Sequence, residues 1–343
     1  MSTCPKMIHI LGTAPAQVLI RRDSYPMTAA AIPPIPSGAL IARDQALLFG
    51  ISRDDIKRRL DRGEWVLLRP GAYVRADVLA SMSDVQRHLL QIDATATGSA
   101  EIISHRSAAV LHGIELVRVP GRRVTVTRPT ARAGRRTPVL HTYCAPIDKD
   151  EIVRVGPHLV TDPARTVVDL ARCLPFEDAV AAADSALHLK LVTPKELAKA
   201  VARAPRRPGI RAAHRVVAFA SPHAESVGES RSRVLITREL LPQPTLQWAI
   251  RDETGVVIAH TDFGWEERRT VGEFDGAEKY GRQLRPGERP GDRIFDEKLR
   301  EDRIRRLGWT VVRWTWPELD QPGVVGDRIR RALEHADRRL ARS

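Results

Sequence analysis

Residues 40–76 constrain the fold more than any other stretch, because a helix, a glycine, a second helix and a hairpin follow one another closely. The first helix is short and ends before Gly50, and Ser52 stands where the N-cap of the next helix, over 53–62, is expected. Asp55 follows that cap by three residues, which is a variant of the capping box. Two helices separated by a glycine turn are typical of a helix-turn-helix.

A hairpin completes this unit. Residues 65–68 and 72–74 flank Arg69-Pro70-Gly71, which predicts two strands joined by a turn, the wing of a winged helix-turn-helix. Such a unit offers helix amides and basic side chains to phosphates and base edges. The alternative is that its basic residues are solvated, or that the unit binds protein. The residues that we expect to contact DNA are Ser52, Arg53, Lys57, Arg58 and Arg69.

The charge balance agrees with a polyanionic partner. The 343 residues include 55 Lys and Arg against 42 Asp and Glu, a formal net charge of +13. This excess favours double-stranded DNA as a partner, although a GC-rich genome also produces arginine-rich proteins. Three scattered cysteines without a C-x-x-C pair favour a reducing cytoplasm over a zinc site or disulfide framework. No apolar run approaches the ~20 residues of a membrane helix, so we expect no membrane partner.

The length predicts two or three domains, and the fold class expected is multi-domain α/β, α+β overall. The expected units are a winged helix-turn-helix, a mixed middle domain and a C-terminal α/β domain. The expected boundaries are a disordered arm over 1–39, the winged helix over 40–90, the middle domain over 91–204, a linker over 205–215 and the last domain over 216–343.

The middle domain begins with Ser104-His105-Arg106-Ser107-Ala108-Ala109-Val110-Leu111-His112-Gly113. Together with the preceding winged helix, this run resembles the AbiEi family of type IV antitoxins. The resemblance implies a winged helix that represses its own promoter, and a following domain that opposes a nucleotidyltransferase toxin, a possible partner. His105 and His112 suggest a metal pair, but no carboxylate or cysteine stands at ligand spacing. We therefore expect a packed helix that Ser104 caps and Gly113 ends.

Seven arginines and no acid lie between Leu116 and Ile147: Arg118, Arg122, Arg123, Arg128, Arg132, Arg135 and Arg136. They are explained equally well by a surface facing a polyanion and by a solvated hairpin. Alternation over 124–127 predicts a strand, and Asp162 with Pro163 predicts the start of a helix. Another helical stretch is expected over 177–201, and Pro205 to Gly209 reads as a linker.

The last third of the chain carries the residues suited to catalysis. A helix is expected over 224–241, followed by strands over 245–252, 256–263 and 269–274. Glu273 and Asp275 stand two residues apart and should face the same side of their strand, with Asp262 on the neighbouring strand. With Glu229 from the helix, these carboxylates form an oxygen-rich cluster suited to Mg²⁺ or Mn²⁺.

This arrangement resembles the PD-(D/E)xK nucleases, in particular the very-short-patch repair endonucleases. A basic helix from Lys298 to Asp302 and a later strand bearing Arg313 agree with that resemblance. The resemblance implies that this last domain has a restriction-endonuclease-like α/β fold, that Asp262 and Glu273 bind the metal and that Glu229 supports it.

The usual lysine of that motif is replaced here by Asp275, which we place with the metal ligands, and Lys279 and Lys298 are candidates to supply the missing charge. Two hypotheses follow. The protein is either a metal-dependent DNA endonuclease in a defence or toxin–antitoxin setting, or a non-catalytic repressor or antitoxin with a nuclease-like scaffold.

Overall fold

The computed structural model describes residues 33–96, 101–129, 133–276 and 299–341. Within them the chain is a multi-domain α+β protein with one three-stranded, one six-stranded and one four-stranded sheet. No helix in these ranges is both long enough and apolar enough to cross a membrane. The arm 1–39, apart from its last residues, and the candidates Lys279 and Lys298 lie outside the described residues.

The first unit has the element order of a winged helix-turn-helix, as predicted. Its elements are β1 (Ile41–Ala42), α1 (Arg43–Leu48), α2 (Arg53–Asp61), β2 (Trp65–Arg69) and β3 (Ala72–Arg75), followed by α3 (Ala76–Ser81) and α4 (Asp84–Ala96). The strands pair antiparallel in the order β1-β3-β2. Ala46, Ile56, Trp65 and Tyr73 are buried together and hold α1 and α2 against the wing. Burying these apolar side chains is what fixes α2 on the sheet.

A six-stranded mixed sheet forms the centre of the middle unit, in the order β6-β7-β5-β4-β9-β8. The elements are β4 (Ile102–Ile103), α5 (His105–Leu111), β5 (Val124–Arg128), β6 (Arg135–Arg136), β7 (Leu140–Cys144), β8 (Ile152–Val155) and β9 (His158–Thr161). Helix α5 occupies the predicted place, but Ser104 does not cap it with its side chain. Its hydroxyl is instead bonded to the imidazole of His105 and the hydroxyl of Thr127.

Four helices follow and share one apolar core: α6 (Pro163–Cys173), α7 (Phe176–His188), α8 (Pro194–Ala202) and α9 (Ile210–Phe219). Asp162 caps α6 and Pro163 opens it, as predicted. The single helical stretch expected over 177–201 is wrong, because the chain breaks after α7 with Lys190 at a φ of 56°.

The linker expected over 205–215 is also wrong. Half of that range belongs to α9, whose Ala213 and Val216 are fully buried in the helical core. Gly209 precedes α9 with a φ of 80°, and a Cβ at that position would lie 2.1 Å from the carbonyl oxygen of Arg172. The proline- and glycine-rich composition therefore marks a tight turn against α6, and the middle unit extends to α9.

The last unit has a four-stranded sheet of order β10-β11-β12-β13, antiparallel except for the parallel pair β12 and β13. Its elements are α10 (Val227–Arg238), β10 (Thr245–Arg251), β11 (Val257–Trp265), β12 (Thr270–Asp275), a helix α11 whose described part is 299–306, β13 (Thr310–Thr315), α12 (Trp316–Leu319) and α13 (Val324–Leu340). Helices α10 and α13 contribute to the apolar core on one face, and α11 to the core on the other. The sheet is thus covered on both sides, with the predicted carboxylates on its central strands.

Candidate functional site

Helix α2 presents basic side chains and has a firmly fixed N-terminus. The Ser52 hydroxyl accepts a hydrogen bond from the amide of Asp55 at 3.1 Å, and the Asp55 carboxylate accepts from the amide of Ser52 at 3.1 Å. This reciprocal capping box is the one that the sequence predicts. The Ser52 hydroxyl and the Arg58 guanidinium lower the pKa of Asp55 to about 2.

The five expected DNA-contacting residues differ in what they already bind. Ser52 is committed to the cap and Arg58 to Asp55. Arg69 donates to the backbone carbonyls of Pro70 and Ala94, which joins the wing to α4. Arg53 and Lys57 are exposed, and neither forms an ion pair within the part of the chain that is described. Because they are four residues apart on α2, they lie on the same helix face.

The carboxylates predicted to converge in the last unit fall into two groups. One group is Glu229 on α10 with Asp262 on β11, and the other is Glu273 on β12 with two arginines. Nowhere in the described ranges do three or more His, Cys, Asp or Glu side chains form a group that could hold a metal ion. Asp275 ends β12 opposite Thr315 of β13. The expected four-carboxylate cluster is therefore not present in this arrangement.

Glu229 lies in the first turn of α10, where it is buried. Its carboxylate accepts hydrogen bonds from the Glu225 amide at 2.9 Å, the Ser226 hydroxyl at 2.8 Å and the Gln247 side chain at 3.0 Å. Burial, and after it the negative charge of Asp262, raises the pKa of Glu229 to about 7. Glu229 therefore exchanges its proton near neutral pH, as a general acid or base must.

Asp262 stands where β11 and β12 stop pairing. Their last paired residues on this side are Phe263 and Gly272, which directly follow Asp262 and precede Glu273 in the chain. Instead of a ladder bond, the Asp262 carboxylate accepts the amide of Phe274 at 2.7 Å. The carboxylate thus holds the two strands together at the point where their backbones separate.

Glu273 is buried and engaged by cations from two elements. Its carboxylate accepts from Arg300 of α11 at 2.6 Å and from Arg313 of β13 at 2.9 Å. Arg313 also pairs with Glu301 at 2.9 Å. Each carboxylate oxygen of Glu273 thus accepts a hydrogen bond from one guanidinium group. Hydrogen bonds between two charged groups are stronger than those between neutral groups.

A kink within β10, at Gln247, lies beside the group formed by Glu229 and Asp262. Gln247 has a φ of 51°, a backbone conformation that residues other than glycine rarely adopt. Leu246 packs in the core beneath α10, whereas Trp248 packs in the core beneath α11, although a regular strand would place both on one face. Sequence reasoning missed Gln247, and only its place opposite Asp262 could have suggested it.

The metal that the nuclease resemblance implies does not fit these residues as they are arranged. Carboxylate oxygens are the donors that Mg²⁺ and Mn²⁺ take, so the chemistry of the set is suitable. However, both oxygens of Glu273 are bonded to arginines, and Glu229 is grouped with Asp262 and not with Glu273. The geometry defines a winged helix-turn-helix with exposed cations on α2 and a four-stranded sheet whose carboxylates are divided between two groups.

Comparison with known proteins adds little to this description. No family model matches the chain. The uncharacterized proteins Rv2248 and MT2308 of two Mycobacterium tuberculosis strains are each 34% identical over 184 residues, 53% of this chain. The chain spans 65% of the length of these curated relatives. The crystal structure of the M. tuberculosis RV2827C protein aligns with a TM-score of 0.37 and 16% identity, over 62% of this chain and 84% of that one.

Proposed function

We propose that the protein binds double-stranded DNA through α2 of its winged helix-turn-helix. The observation that carries this proposal is the pair Arg53 and Lys57, exposed on one face of a capped helix and without an acidic partner among the described residues. Such a cation can contact a phosphate without first breaking an ion pair. The net charge of +13 supports the same partner.

The experiment is a salt titration of duplex binding, measured by fluorescence anisotropy. Each phosphate contact contributes about 0.9 to the slope of log K against log salt. Replacing Arg53 and Lys57 with alanine is therefore expected to reduce the slope by about 1.8 and to weaken binding. The matched control is Arg62→Ala with Lys195→Ala, which also removes two exposed cations. Arg62 lies off this face of α2, and Lys195 lies outside the winged helix-turn-helix. An unchanged slope in the α2 variant would exclude this helix from the DNA contact.

A second candidate function is phosphodiester hydrolysis by the last unit. The specific observation in its favour is Glu229, a carboxyl group whose pKa is raised to about 7 by burial and by the charge of Asp262. Groups with perturbed pKa values concentrate at functional sites. For Glu273 to act on a phosphate or a cation, Arg300 or Arg313 must release one of its oxygens.

A cleavage assay on plasmid and linear DNA decides between hydrolysis and binding alone. Hydrolysis requires nicking that depends on Mg²⁺ or Mn²⁺, stops with EDTA and is abolished in Glu273→Gln. Glu267→Gln, an exposed glutamate in the turn before β12, is the matched control. Duplex binding without nicking by the unsubstituted protein would contradict hydrolysis. It would leave the repressor or antitoxin role that the AbiEi resemblance implies, including a nucleotidyltransferase toxin as partner.

A further inference from the structure

The arginines of the middle unit differ in what they contact. Arg128 pairs with Glu101, and Arg122 donates to the carbonyl of Leu67 at 2.6 Å. Arg123 donates to the carbonyl of Thr137 at 2.9 Å, and Arg136 is exposed. In the described ranges neither Arg123 nor Arg136 has an acidic partner. Their charges are thus open to a ligand.

These two arginines lie beside a pair of rings on β7. Alternation along the strand puts His141 and Tyr143 on one face, and Thr142 is buried on the other. Arg136 of β6 is the direct cross-strand neighbour of His141. On the other side His141 is paired with Thr125 of β5, and Arg123, two residues earlier, belongs to the same face.

The rings form a ladder that ends near the surface. His105 stacks on Tyr143 with ring centroids 3.6 Å apart and an angle of 12°, and His141 lies over Tyr143 at 4.2 Å and 31°. His105 is buried, at 5% exposure, whereas His141 is only half-buried. Burial, Arg136 and Arg123 lower the pKa of His141, which favours its uncharged form. The surface therefore consists of an aromatic ring between two guanidinium groups.

That chemistry matches an unpaired base and its phosphates. Single-stranded nucleic acid is bound by rings on which bases stack, together with cations that contact the backbone. Bases inside a duplex are already stacked on their neighbours and offer only their edges. We propose that Arg123, Arg136, His141 and Tyr143 form a binding surface for single-stranded nucleic acid, separate from the duplex-binding helix α2.

The test compares four ligands in the same anisotropy assay: a short oligothymidylate, the corresponding oligouridylate, an abasic strand of equal length and a duplex. The wild-type protein is expected to bind the strands with bases more tightly than the abasic strand. His141→Ala should weaken that binding roughly 5- to 160-fold, the range that corresponds to the loss of one base–ring stacking contact. His141→Phe, which keeps a flat ring, should retain it. The DNA and RNA arms show which strand is preferred.

The arginines are tested by the salt slope. Arg123→Ala with Arg136→Ala should lower the slope for single strands by about 0.7 for each phosphate that an arginine no longer neutralises. The charge-matched control is Arg211→Ala with Lys195→Ala, which removes two exposed cations from α9 and α8. Thermal unfolding of each variant checks that the middle unit is folded.

Two results would overturn the proposal: equal affinity for abasic and normal strands, or wild-type affinity in folded His141→Ala. Both results are independent of the proposal that α2 binds duplex DNA. Arg53→Ala with Lys57→Ala should reduce duplex binding and leave single-strand binding unchanged.

Discussion

Replacing Glu229 with glutamine should make the stability of the last unit less dependent on pH. The folded-state pKa of Glu229 is about 7, against 4.5 for an unperturbed glutamate. In the unfolded chain this group loses its proton at lower pH than in the folded protein. Stability therefore falls as the pH rises from about 4.5 to about 7, and remains lower above that. Glutamine has the same shape and no charge to bury.

The size of the effect follows from the pKa difference. One pKa unit corresponds to about 1.36 kcal/mol, so the penalty at high pH is about 3 kcal/mol, part of which is already present at pH 5. We expect the free energy of unfolding of Glu229→Gln, relative to wild type, to increase by about 2 to 3 kcal/mol between pH 5 and pH 8. Three donors contact this carboxylate, so the variant can lose about 1 kcal/mol at both pH values.

Urea unfolding followed by tryptophan fluorescence is the assay, because five of the six tryptophans belong to the last unit: Trp248, Trp265, Trp309, Trp314 and Trp316. Glu267→Gln is the control, because it removes the same charge from an exposed position of the last unit outside the surroundings of Glu229. If the difference between Glu229→Gln and wild type is the same at pH 5 and pH 8, burial and the charge of Asp262 do not act on Glu229 as described.

Two further substitutions test the packing around α10. Gly228→Ala should destabilise the last unit by about 1 to 3 kcal/mol, because the new Cβ would lie 2.0 Å from the buried ring of Phe274. The control is Gly121→Ala, whose new Cβ has no atom within 4 Å. Urea unfolding of the two variants measures the difference between their free energies of unfolding. Arg233→Met should cost about 3 to 5 kcal/mol by leaving the fully buried Asp184 without its cation. Adding Asp184→Asn should recover much of that stability, and no recovery in the double variant would contradict the role of the pair.

Much of the fold is readable from local signals. The cap at Ser52, the proline after Asp162 and the turn between β10 and β11 each fix a short segment through contacts between near neighbours, so the sequence predicts them. The turn at 205–209 is not predicted, because proline and glycine mark linkers and tight turns alike. What decides between them is the burial of Ala213 and Val216, which depends on residues far away in the chain.

The carboxylate site is also hard to predict, because its geometry depends on packing between residues that are far apart in the chain. The period-two rule predicts that Glu273 and Asp275 share one face of β12, and pairing of the strands as a hairpin predicts that Asp262 converges with them. In the structure Gln247 has a left-handed backbone where β10 changes face, and β11 changes face as well, since Ala259 and Phe263 pack in different cores. A break in alternation of this kind has no signal in residue type. Two-residue spacing therefore cannot by itself establish convergence across neighbouring strands.

Helix α10 connects the geometry of that site to the middle unit. Val234 is buried in the helical core with α6 to α9, while Leu235 and Ile236 belong to the core of the last sheet. Arg233 pairs with the fully buried Asp184 of α7, one turn along from Glu229. A helix that fills two cores cannot shift in one without disturbing the other. The burial of Glu229 and its position beside Asp262, which together raise its pKa, therefore depend on the packing of α10 against α7 as well as on the sheet that carries Asp262.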